Sequence, residues 1–194
     1  MKRMMMLLVG FCFLFVSCDD KKNVFRPHDF VGKPTGNETL RLQNSSLPTY
    51  PTNLEFELYD YTINNQTKDT LIATYKVKGL LAQTLDAWGE NMENGGEILI
   101  TLDNTDFITP KVLIGNALKY PYDDNPLPDY VYYGETSNSS GKNVFDFYKS
   151  NEGAENRFSI KDKTIVMHLD HIDWIRETDY FGDKGVLYVN LKFE

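Results

Sequence analysis

Across most of the chain from residue 53 to residue 194, apolar side chains recur at every second position. That period constrains the fold more than any other feature of the sequence. Successive side chains of a β-strand point to opposite faces, so strict alternation marks a strand with one buried face. In "GVLYVNLKFE" (185–194), Leu187, Val189, Leu191 and Phe193 share a face. In "NLEFELYDYTI" (53–63), Leu54, Phe56 and Leu58 point one way and Glu55 and Glu57 the other. Past that point Tyr59, Tyr61 and Ile63 occupy the wrong parity, and a bulge near Asp60 restores the register. "NNQTKD" then supplies a turn into "TLIATYKVKG", where Leu71, Ala73, Tyr75 and Val77 point inward. The two runs predict an antiparallel hairpin with Glu55 and Glu57 opposite Lys76 and Lys78.

Further strands are predicted at 97–104, 106–114, 129–135, 143–150, 157–160, 164–175 and 185–194. Pro110 marks an edge or a bulge, and "KDK" (161–163) a tight hairpin between two of the strands. The single helical stretch, "LLAQTLDAWGENM" (80–92), contains Gly89 and runs into "ENGG", which limits it to about two turns. No βαβ spacing occurs, and the aromatic content of 13% suits β packing. The expected fold is all-β: an antiparallel β-sandwich or barrel of about nine to ten strands with at most one short helix.

The N-terminus is built differently. Lys2 and Arg3 precede an apolar run from Met4 to Ser17. Fourteen helical residues reach about 21 Å, short of the roughly 30 Å bilayer core, so the run reads as a secretion signal. It ends in "LFVSC" (14–18), followed at once by "DDKKN". Val16-Ser17-Cys18 resembles the bacterial lipobox, although Phe15 stands where a leucine is usual. The acidic pair Asp19-Asp20 is similar to the tether of Bacteroidetes lipoproteins, which in that group can direct a protein to the cell surface. The resemblance covers about the first twenty residues only. It implies that Cys18 carries the lipid, that the chain is anchored to a membrane through its N-terminus, and that it resides at the outer membrane or cell surface. The predicted organisation is a signal peptide (1–17), the lipidated cysteine with a flexible spacer (18–36), and one β domain (37–194).

Charge and cysteine usage narrow the function. The chain has 28 acidic against 20 basic residues, which disfavours nucleic acid as a partner. Its two cysteines are Cys12, inside the signal, and Cys18, so the predicted mature body has no thiol left for a disulfide, a zinc site or a nucleophile. "HLDHIDW" places His168 and Asp170 on one strand face and His171 and Asp173 on the other, too divided to hold one ion without a bulge. No metal and no cofactor is expected. There is no G-x-S-x-G elbow, no H-E-x-x-H and no glycine-rich phosphate loop. A carboxylate-pair glycoside hydrolase is the least favoured reading, and the body is expected to be non-catalytic.

The candidate contact surface is "YPYDDNPLPDYVYY" (120–133). It offers Tyr120, Tyr122, Asp123, Asp124, Tyr130, Tyr132 and Tyr133 in a proline-stiffened stretch. Aromatic rings beside carboxylates suit sugars and protein partners alike. Asp69-Thr70-Leu71 is similar to the short O-glycosylation pattern of Bacteroidetes, with Thr70 as acceptor. The expected function is a lipid-anchored binding module for a glycan or an envelope protein. The alternative is a structural accessory lipoprotein that packs through an edge strand.

Overall fold

The computed structural model describes residues 24–42, 45–46, 48–87, 89, 91–106, 108–115, 130–138, 141–148, 156–176 and 179–194. Its elements are β1 (Thr35–Leu42), β2 (Ser45–Ser46), β3 (Tyr50–Pro51), β4 (Glu55–Ile63), β5 (Thr70–Lys78), α1 (Ala82–Ala87), β6 (Asn91–Gly95), β7 (Glu97–Asp103), β8 (Lys111–Gly115), β9 (Tyr130–Asn138), β10 (Gly141–Tyr148), β11 (Arg157–Lys161), β12 (Thr164–Arg176) and β13 (Asp179–Lys192). The protein is all-β, with one short helix and a 3-10 turn at Pro27–Phe30.

All strand pairs are antiparallel. The main path runs β2-β1-β13-β12-β11-β8-β7-β5-β4. It curls so far that its ends meet: Gly32, just before β1, exchanges two backbone hydrogen bonds of 2.8 Å with Phe56 of β4. The sheet is therefore a curled half-barrel with one bridge across its seam. The long strand β12 forks it. Residues 164–168 pair with β11, whereas 172–176 pair with β10, which continues to β9 and β6.

The alternating residues fill the interior. Ala73, Tyr75, Val77, Ile98, Ile100, Leu102, Ile165, Met167, Leu169, Leu187, Val189 and Leu191 are all fully buried. The predicted hairpin has its predicted register, Glu55 opposite Lys78 and Glu57 opposite Lys76. Its register shifts between Leu58 and Asp60, where the sequence called for a bulge. The ion pairs go elsewhere, however. Lys76 and Lys78 both reach Glu97 of β7, each at 3.4 Å. Asp162 and Lys163 have φ of 48° and 59°, as a two-residue turn matched to the strand twist requires.

Two expectations are corrected. First, residues 24–36 are not a flexible spacer, and a domain boundary at 36/37 would cut β1. Phe25, Pro27 and Phe30 are buried. Phe25 rests edge-on against Phe30 and Phe158, and Phe30 against Phe193. The Phe25 carbonyl accepts from the backbone N–H and the hydroxyl of Thr70, and the Pro27 carbonyl accepts from the Tyr75 hydroxyl at 2.9 Å. Second, residues 106, 108 and 109 are not strand. Asp106 accepts from the backbone of Ile108 and Thr109 and from the Thr109 hydroxyl, closing a turn that ends at Pro110. The main path, with nine strands, agrees with the nine to ten expected, and among the described residues β3, β6, β9 and β10 lie off it.

Candidate functional site

The residues singled out from the sequence fall into three groups. Cys18, Tyr120, Tyr122, Asp123 and Asp124 lie outside the described residues. Tyr130, Tyr132 and Tyr133 belong to β9, whose backbone pairs Tyr130 with Tyr148 and Tyr132 with Asp146 of β10. Tyr133 falls at the bulge in that ladder, and the side chains of all three are outside what is described. Thr70 is a correction: it is fully buried and its hydroxyl donates to the Phe25 carbonyl, so the folded chain does not present it to a glycosyltransferase.

β12 does contain an irregularity beside the two histidines, since the register with β13 shifts between Leu169 and Ile172. His171 and Asp173 have no described side chains. Among the described residues no group of three or more His, Cys, Asp or Glu is placed to hold a metal ion. No described helix is long and apolar enough to cross a membrane.

Two arrangements were not anticipated. The first is Glu38, buried on the inner face of β1. Its carboxylate accepts from the Leu81 backbone N–H at 3.0 Å and the Thr84 hydroxyl at 2.8 Å, which ties α1 to the sheet. Burial pushes its pKa above the ordinary 4.5, and the hydrogen bonds from Thr84 and Leu81 partly oppose that shift. A signal existed in the sequence: Glu38 has the same parity as Leu40, an acid in an apolar register. Glu38 is therefore engaged in holding the end of the helix. Tyr75, buried at the other hydrogen bond to the N-terminal segment, has its pKa raised by burial and by the charge of Asp29.

The second arrangement is on the outside. Directly paired residues share a face, so the registers define rows across the sheet. One row runs Thr39, Tyr188, His168, Arg157, Lys111 over β1, β13, β12, β11 and β8. Another runs Thr35, Lys192, Thr164, Lys161. Tyr188 is 37% exposed and stacks on His168, with centroids 4.8 Å apart and ring planes 8° apart. The Arg41 guanidinium lies over the same ring at 5.0 Å. A cation held on an aromatic face keeps its charge but loses rotamer freedom. The outcome is a stiffened cation–aromatic stack in the middle of an exposed sheet face. Periodicity identified these residues as outward-facing, but only the strand order brings them together.

No protein-family model, curated protein or solved structure matches this chain.

Proposed function

We propose that this is a lipid-anchored envelope protein, held through Cys18 at the outer membrane or cell surface, whose β body is a non-catalytic binding module for a glycan or protein partner. The observation that supports binding most directly is the exposed Arg41–Tyr188–His168 stack on a rigid, fully paired part of the sheet. Contact groups whose rotamers are already fixed lose less entropy on association. The accessory reading, assembly through an edge strand, has less support. The β4 edge is bridged by Gly32 and neighbours the 3-10 turn, and the Tyr61 N–H is taken by the Asp60 carboxylate at 2.8 Å. At the other end of the path, β2 and β3 are two residues each, too short to template another strand.

The anchor and the body are tested separately on the full-length protein. Cys18→Ala is expected to move the protein from the detergent phase to the aqueous phase, and retention in detergent sinks the anchor. The wild-type protein on an array of bacterial and host glycans is expected to retain at least one glycan class. Silence on every glycan together with stoichiometric co-purification of an envelope complex returns the accessory reading.

A further inference from the structure

We propose that the outer face of β1, β13, β12, β11 and β8 binds an acidic polysaccharide through its carboxylate groups. This deepens the binding-module reading and rests on it.

The first argument is charge segregation. On the outward positions of these five strands, among the residues with described side chains, stand Arg41, Lys192, Lys161, Arg157 and Lys111, with Asp170 the one acid among them and Lys111 opposite Asp103 of β7 at the border. The adjoining outer wall of β7, β5 and β4 reverses the sign: it carries Glu97, Asp103, Glu55, Glu57 and Asp60, and its Lys76 and Lys78 are engaged by Glu97. Within a chain of net charge −8, the described residues thus gather cations on one outer wall of the sheet. A polyanion is drawn to that half and repelled by the other.

The second argument is spacing and chemistry. Neighbouring strands lie about 4.8 Å apart, so Lys192 and Lys161, two strands apart, present charges roughly 10 Å from each other. Arg41 and Lys111 lie on strands four steps apart, on the order of 19 Å. Cations repeated over that span suit a polymer with charge repeated along its length. Between the two cationic rows runs a third of Asn37, Asn190, Val166 and Ser159, whose amides and hydroxyl match sugar hydroxyls. Arg41, braced on Tyr188, offers the planar fork that binds a carboxylate in two-point fashion.

Other polyanions fit less well. An acidic peptide pairs through its backbone with a sheet edge, whereas β13 and β12 are paired on both sides and β11 is laddered to β12 and bridges β8 at Arg157, so that the face offers mainly side chains. A bilayer is gripped by apolar side chains that protrude beyond the cations. Of the exposed apolar residues on this face, Val166 and Leu113 are short, and the Tyr188 ring is covered by the Arg41 guanidinium.

The test uses full-length protein in mild detergent and native electrophoresis through gels cast with polygalacturonate, dextran or no polymer. Polygalacturonate is expected to retard the wild type, dextran to leave it unmoved, and added salt to weaken the retardation. Replacing Arg41, Lys111, Lys161 and Lys192 together by Gln is expected to weaken binding by about tenfold or more. The thermal midpoint should not change, because all four side chains are exposed. Unchanged retardation of the fourfold variant overturns the proposal. So does equal or tighter binding to poly-glutamate or to phosphatidylglycerol vesicles. Retention by a neutral glycan alone also overturns it, while leaving the binding-module reading standing.

Discussion

Removing the segment before β1 should cost this protein its fold. Consider two chains, one starting at residue 24 and one at residue 37. The second lacks Phe25 and Phe30, which are 3% and 2% exposed. Truncating a buried phenylalanine typically costs about 3–5 kcal/mol. It also lacks the Phe25 and Pro27 carbonyls and the Gly32 bridge. Each lost hydrogen bond is worth about 1 kcal/mol net, and a buried Tyr75 hydroxyl left without a partner costs about 1–3 kcal/mol. Phe25 and Phe30 touch, so their terms do not simply add. Even so, the loss is on the order of 10 kcal/mol, comparable to the whole stability of a domain. Urea titration followed by far-UV circular dichroism reads this directly. The chain from residue 24 is expected to unfold in one cooperative transition, and the chain from residue 37 to show none. In the full-length protein Phe25→Ala should lower the stability by about 3–5 kcal/mol. Coincident urea midpoints for the two truncated chains would refute the role assigned to residues 24–36.

Glu38 gives a prediction with a sign. Its folded pKa lies above 4.5, so the folded chain binds the proton more tightly than the unfolded chain. Stability should therefore fall as pH rises from about 4.5 through the folded pKa, and level off above it. Glu38→Gln should abolish that slope and match or exceed wild type at neutral pH, whereas Glu38→Ala should lose about 1–3 kcal/mol by stranding the Leu81 and Thr84 donors; thermal midpoints from acid to neutral pH decide, and a wild type that gains stability over Glu38→Gln as pH rises contradicts the assignment. At Gly36 a β-carbon would collide with the Asn190 carbonyl across the β1–β13 ladder, so Gly36→Ala should cost about 1–3 kcal/mol in denaturant titrations; an unchanged midpoint would mean the two strands can separate there.

The strands that were legible in the sequence are those whose inward positions are all apolar. β5, β7 and β13 could be read because Ala73-Tyr75-Val77, Ile98-Ile100-Leu102 and Leu187-Val189-Leu191 leave no ambiguity of face. β1 escaped because its inward positions are Gly36, Glu38 and Leu40: one has no side chain, and the next is an acid whose hydrogen-bond partners lie 43 and 46 residues away. The segment before it escaped because a Pro- and Gly-containing stretch looks like linker whether or not its few phenylalanines find a pocket. Phe25 and Phe30 find theirs against Phe158 and Phe193, near the far end of the chain. The cationic face is a product of strand order for the same reason. Arg41, Lys111, Lys161 and Lys192 are scattered over about 150 positions, and no local window reveals that they share a wall.

The strap across the seam also sets how a tethered body would move and bear load. The described structure begins at Val24, and five residues, 19–23, stand between it and Cys18. Fully extended, they reach about 20 Å, where a spacer running to residue 36 would have allowed roughly three times that distance. Were Cys18 lipidated as proposed, so short a link would keep the body close to the surface that holds the lipid. A pull on such an anchor would reach Phe25, beside the Thr70 contacts, and then the paired hydrogen bonds of Gly32 and Phe56. The part of the molecule that closes the sheet would therefore be the first to carry tension.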